Sequence, residues 1–235
     1  MWVSWEGLKT VKEYLFPVFC LSCRQEGVWL CGECMGQLDL TPQYVCTVCH
    51  ADTENGSVCQ SCRPVSALSR HVAVMRYEED ALIGSIIHTF KYQYAEDIFG
   101  VLEQLLVQFL DVHPDIFSGV DSIFPVPLHK KRFAERGFNQ ATAIAQVVAK
   151  EVGIPLVAQL LIRTRDTPHQ ARLDRAGRLD NVKNAFELKK PSIVEGKHVL
   201  LVDDVLTTGS TIQECARAVL EHGAREVSAF TLARG

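Results

Sequence analysis

Two aspartates, Asp203 and Asp204, stand at the end of an apolar run, Val199-Leu200-Leu201-Val202, and Thr207-Thr208-Gly209-Ser210-Thr211 follows closely. The apolar run reads as a buried strand, and α/β folds present their ligands at the carboxyl edge of such strands. The hydroxyl-rich turn can aim backbone N–H groups and side-chain hydroxyls at a phosphate, with the positive end of a helix opening near Ile212 behind it. Gly209 lets the backbone take φ > 0 or come close to a ligand. The two carboxylates can accept hydrogen bonds from vicinal sugar hydroxyls or hold Mg²⁺. A sugar phosphate fits this chemistry; a bare nucleobase does not. No GxxxxGK[ST] occurs in the chain, so the turn is not a Walker A loop.

A second chemistry lies in the amino-terminal third. Eight of the nine cysteines fall in four CxxC pairs: Cys20/Cys23, Cys31/Cys34, Cys46/Cys49 and Cys59/Cys62. Two residues between thiolates let both reach one metal from a tight turn, and two such knuckles complete a tetrahedral site. The spacing therefore predicts two structural Cys₄ zinc sites, closed to catalysis because every corner is a thiolate. Disulfides are the competing reading, but the first twenty residues lack a basic start and an A-x-A-like site and do not read as a signal peptide, so metal is expected. Iron–sulfur ligation suits evenly paired knuckles less well. Both a sequential and an interleaved pairing of the knuckles are open; short loops favour the sequential one. His50 reads as a neighbour of the metal rather than a ligand, and Cys215 as a small core residue.

A third cluster is cationic. Phe124–Gln140 packs Lys130, Lys131, Arg132 and Arg136 closely before a helix that opens at Asn139. Guanidinium groups pair well with phosphate oxygens, and the helix N-terminus adds its dipole. A polar stretch over 163–183 follows, with Arg163, Arg165, Gln170, Arg172 and Arg178 as candidate ligand contacts if it closes as a flap. Residues 121–190 carry 13 basic and 7 acidic side chains in a chain whose net charge is −4. That local excess serves an anion larger than one phosphate. Lys91 and Tyr92 are weaker candidates for the same site.

These groups need a scaffold, and the periodicities supply one. Strands are expected at 71–77, 121–127, 199–202 and 226–232. Helices are expected after Asp80, with Leu82, Ile83, Ile86, Ile87 and Phe90 as the apolar face, and over about 96–110, 139–152 and 210–222. Gly153 and Gly223 read as helix stops. The alternation predicts an α/β fold with a doubly wound parallel sheet over 67–235, preceded by a zinc-ribbon unit over 1–66. Trp2, Trp5, Leu8, Val11 and Leu15 suggest a leading helix that docks on the main domain or lies on a membrane surface. No apolar run has the length of a transmembrane span.

VDDVLTTGST resembles the phosphoribosyl-diphosphate (PRPP) motif of type I phosphoribosyltransferases. By that resemblance Asp203 and Asp204 contact the ribose hydroxyls, with Mg²⁺ accompanying PRPP. Thr207, Thr208, Gly209, Ser210 and Thr211 hold the 5′-phosphate. The segment with Lys130, Lys131, Arg132 and Arg136 stands where the family's pyrophosphate loop does, and the stretch with Arg163, Gln170 and Arg178 stands at its flap. Together with the four CxxC knuckles, HTFKY at 88–92 and PVPLHKKRFAERGFNQA at 125–141, the chain resembles the ComF/GntX family of competence proteins. The resemblance implies a type I phosphoribosyltransferase fold behind an amino-terminal zinc finger. It also implies a part in uptake of transforming single-stranded DNA beside a ComFA-type helicase, in the cytoplasm or at the inner face of its membrane. Trp29, Tyr44, Arg24 and Arg63 are the ribbon's candidates for DNA contact. The alternative is an active phosphoribosyltransferase with an unknown acceptor.

Overall fold

The computed structural model describes residues 17–78, 81–92, 95–166 and 183–235. The expected leading helix, Asp80, Gln170, Arg172 and Arg178 lie outside those residues. In chain order the strands are β1 (Gln43–Tyr44), β2 (Arg70–Arg76), β3 (Ser122–Pro125), β4 (Leu161–Arg163), β5 (Phe186–Leu188), β6 (His198–Leu206) and β7 (Glu226–Arg234). The helices are α1 (Gly32–Gly36), α2 (Leu82–Tyr92), α3 (Ala95–Val112), α4 (Lys130–Arg136), α5 (Gln140–Val152) and α6 (Ser210–Leu220).

The main sheet has the order β1-β2-β7-β6-β3; β2, β7, β6 and β3 are parallel, and β1 adds to β2 antiparallel. Val199 to Val202 are all buried because helices cover both faces, which is why the strand reads as a continuous apolar run. One face carries α2, α3 and α5, whose core includes Ile86, Phe90, Leu102, Phe109 and Ile144. Spacings of three and four put these side chains on single helical stripes, and burying each is worth about 1.5–3 kcal/mol. The other face carries α6 and the antiparallel pair β4–β5, with Cys215, Leu161 and Leu188 packed in one cluster with Leu201 and Ala229.

The amino-terminal cysteine segment is fused to this body rather than strung beside it. Cys20, Cys31, Cys34 and Met35 belong to the same core as α2 and α3. Trp29 and Tyr44, expected as platforms for DNA bases, instead pack on that core, and Arg70 lies over the Tyr44 ring at 5.9 Å. Phe90 meets Phe138 edge-on at 5.3 Å, which brings the end of α2 up to the basic segment. Among the described residues no helix is long and apolar enough to cross a membrane.

Candidate functional site

Neighbouring strands β3 and β6 send their following helices to opposite faces: α5 to one, α6 to the other. A crevice opens at such a switch point, outside the carboxyl ends of the strands, and α/β sheets bind ligands there. β6 runs four residues past the expected end at Val202, still paired with β7 through Asp203↔Thr231 and Val205↔Ala233. The acidic pair therefore sits within a strand, and pleating turns its two side chains to opposite faces. Asp204 is paired with Lys91 Nζ at 2.9 Å, in the last turn of α2. Asp203 Oδ1 accepts from its neighbour's N–H at 2.9 Å. Burial, and then the Asp204 charge, push the Asp203 carboxyl up to about 7 against the pull of Lys91 and Arg163.

A first cleft of about 80 Å³ is lined by Asp203, Thr231 and residues 205–212. Gly209 takes φ 73 as the residue before α6, and no side chain caps the helix there. The first N–H groups of an 11-residue helix thus face the cleft with its positive dipole end. Thr208 and Ser210 hydroxyls meet at 3.0 Å at its rim. This is the geometry of an anion cradle, and all five predicted residues of the turn line it.

A second cleft of about 130 Å³ adjoins the first, sharing Asp203 and Thr211. Its walls carry four cations, Lys91, Arg132, Arg136 and Arg163, against two carboxylates, Asp203 and Asp204. The basic segment expected as a loop holds a short helix, α4, with His129 at its N-cap and Gly137 in the left-handed conformation at its end. Arg132 and Arg136, four apart, share the helix face toward the cleft. Lys130 and Lys131 do not line it: both are exposed, and Lys131 Nζ pairs with Asp166 at 2.5 Å. Arg163 belongs to β4 rather than to a flap. It is 8% exposed, over the Phe186 ring at 5.5 Å, and burial, then the Arg132 charge, lower its pKa.

Several cleft residues were weak or absent in the sequence reading. Gln140 is 2% exposed; its Oε1 accepts from Arg136 Nη1 at 3.0 Å, while its Nε2 has no hydrogen-bond partner among the described residues. Its signal was positional: Gln140, Ile144 and Val148 form the buried stripe of α5, and a polar residue at the head of such a stripe needs a reason. Lys91 had an ordinary explanation as a cation in a helix's last turn.

The eight paired cysteines form two groups, Cys20/Cys23/Cys31/Cys34 and Cys46/Cys49/Cys59/Cys62, with sulfurs within 4.8 Å of one another in each. Zinc–sulfur bonds of about 2.3 Å put tetrahedral corners about 3.8 Å apart. Cys23 to Cys31 and Cys49 to Cys59 each measure 3.6 Å, so the sequential grouping is the one formed and each group could bind zinc. The knuckles repeat one turn: Arg24 (φ 65) donates its N–H to Cys20 O, and His50 (φ 63) to Cys46 O. In the first group burial raises the Cys20 pKa, but N–H groups of Cys31, Cys23 and Ser22 outweigh it and bring it to about 6. Cys215, buried in α6, takes no part.

A parallel sheet wound on both faces, an anion cradle after an Asp-Asp strand and two Cys₄ groups define a phosphoribosyltransferase-fold protein with an amino-terminal metal-binding segment. A family of phosphoribosyl transferase domains matches residues 135–235. The DNA utilization protein YhgH of Escherichia coli K12 is 33% identical over 231 residues, 93% of this chain and 97% of that one. Competence protein F of Haemophilus influenzae is 29% identical over 87% of this chain and 96% of its own. Competence protein ComFC of Bacillus subtilis is 28% identical over 87% and 84%. Among solved structures, the glutamine PRPP amidotransferase of B. subtilis, complexed with ADP and GMP, aligns at TM-score 0.39 and 23% identity over 58% of this chain and 27% of that chain. The chain belongs to the ComF family of competence and DNA-utilization proteins.

Proposed function

We propose that the protein is a competence-type factor for uptake of transforming single-stranded DNA, and that its α/β part binds PRPP with Mg²⁺ at the switch-point crevice. The observation that carries this reading is the joining of two clefts through Asp203 and Thr211, one an anion cradle and the other cationic. In this reading residues 207–211 take the 5′-phosphate and Asp203 and Asp204 take the ribose hydroxyls. Arg132, Arg136, Arg163, Lys91 and Gln140 Nε2, which has no hydrogen-bond partner among the described residues, face the diphosphate. Mg²⁺ supplies neutralising charge to that group when bound. Each Cys₄ group holds one structural zinc, and residues 1–66 act as a metal-stabilised unit on 67–235.

The relatives' names speak for handling of DNA rather than transfer of a phosphoribosyl group to an acceptor. Exposed Lys130, Arg24 and Arg63, and Lys131 where phosphate displaces Asp166, are among the cations that would meet a DNA backbone, beside a ComFA-type helicase at the inner face of the membrane. A transformable host lacking its own relative tests the reading. Wild type should restore transformation, and Asp204→Asn should not, at equal protein and zinc content. Full restoration by Asp204→Asn would remove the crevice from the function. Single-strand affinity should also fall steeply with salt, with a slope reduced by about 0.7 for each phosphate-contacting lysine removed.

A further inference from the structure

The two cysteine groups differ in what they touch. The first is packed into the α2–α3 core, with only Cys23 exposed. In the second only Cys46 is buried, and its knuckle lies against the anion cradle through Thr47. Thr47, inside that knuckle, is 1% exposed. A Cβ placed on Gly209 would come within 3.2 Å of the Thr47 carbonyl oxygen, so the knuckle backbone is the wall behind the cradle's left-handed glycine. The Thr47 hydroxyl accepts from Gln213 Nε2 at 3.0 Å.

Gln213 is the junction. Its Nε2 also donates to Ser66 Oγ at 2.9 Å and its Oε1 accepts from Ala67 N at 2.8 Å, just beyond the other knuckle at Cys59 and Cys62. Its own N–H donates to Gly209 O at 2.9 Å, closing the first turn of α6. One buried side chain thus ties both knuckles of the second group to the turn that faces the ligand. Arg234 Nη2 adds a contact to His50 O at 3.4 Å at the end of β7.

We infer that Thr47 and Gln213 are positioning residues that couple metal in the second cysteine group to ligand on the 207–211 turn, so that the two bind cooperatively. The inference rests on the phosphoribosyl reading of that turn. Metal fixes the Cys46–Cys49 knuckle and with it Thr47; Thr47 and Gln213 hold the cradle in its binding shape. Linkage makes the effect reciprocal: ligand on the turn tightens the metal by the factor by which metal tightens the ligand. The first group packs on the other face of the sheet and serves as the internal control.

The test is equilibrium transfer of zinc from the full, zinc-loaded chain to a chromophoric chelator, with and without saturating PRPP and Mg²⁺. PRPP should protect one of two zinc equivalents, raising the chelator concentration for half transfer about tenfold, inside the usual range for coupled sites. Thr47→Val should keep both zincs while the protection falls below twofold. A role of Thr47 in folding alone would lower retention equally with and without PRPP and leave the ratio unchanged, which overturns the inference. So does PRPP binding that protects neither zinc or both alike. Failure of PRPP to bind the zinc-loaded wild type overturns the phosphoribosyl reading itself, and the coupling with it.

Discussion

Replacing Asp203 with asparagine should make the protein more stable at neutral pH while weakening its ligand site. Asn keeps an oxygen for the Asp204 N–H that Asp203 accepts at 2.9 Å, so the local turn survives and only the charge is lost. Burial and the Asp204 charge hold the Asp203 carboxyl at about 7 in the folded chain against 3.8 for the free group. At about 1.4 kcal/mol per pH unit, ionising it in place costs at most about 4 kcal/mol. A raised folded-state value means its stabilising share is complete below pH 3.8 and is lost as pH climbs through about 7. Asp203→Asn should therefore exceed wild type by about 2–4 kcal/mol at pH 8, with the gap closing toward pH 4. Urea unfolding of both proteins across that range measures it, and zinc linkage, common to both, cancels in the difference. A constant gap across pH, or a less stable variant at pH 8, would refute the placement of a half-buried carboxylate against its neighbour's charge.

Lys91→Met should strand Asp204 and destabilise the fold by about 2–4 kcal/mol, because removing one partner of a half-buried pair leaves an uncompensated charge. Asp204→Asn should recover part of that loss in the double variant, as a double-mutant cycle by denaturant unfolding will read. Gly209→Ala forces a Cβ into a position with φ 73 and 3.2 Å from Thr47 O; a loss of about 1–2 kcal/mol is expected in the same assay, with weaker PRPP binding. Wild type should carry two zinc atoms per chain by metal analysis, and Cys46→Ser one, with the first group still loaded.

What was legible in the sequence was contiguous. The β6–turn–α6 unit, the four CxxC pairs and the apolar stripes of α2, α3 and α5 each declare themselves in an unbroken stretch of chain, and the structure has them in place. The sequence also allowed Gly209 a positive φ, which it takes, and opened a helix at Asn139, which the structure shows as its N-cap, accepting from Ala141 N at 3.1 Å. Elements without an apolar rhythm were missed. α4 is polar but for Phe133 and Ala134 and is held by its ends, and β4 and β5 are three residues each and lie far apart in sequence. Site residues delivered by tertiary packing were also hidden. Arg163 was expected on a flap and is a buried wall, and Thr47 and Gln213 are 166 residues apart before folding joins them. Asp203 and Asp204 read as one pair at a strand end; only the pairing past Val202 shows that they sit within β6, where pleating separates their side chains although both line the second cleft.

Calorimetric titration of PRPP with Mg²⁺ into zinc-loaded wild type and Asp204→Asn tests the central claim, that the switch-point crevice is a phosphoribosyl site. One binding event per chain is expected in wild type, weakened at least tenfold in Asp204→Asn, a loss of about 1.4 kcal/mol or more. No heat with wild type, or equal affinity in both proteins, would contradict the account and leave the Asp-Asp strand and its turn as scaffold.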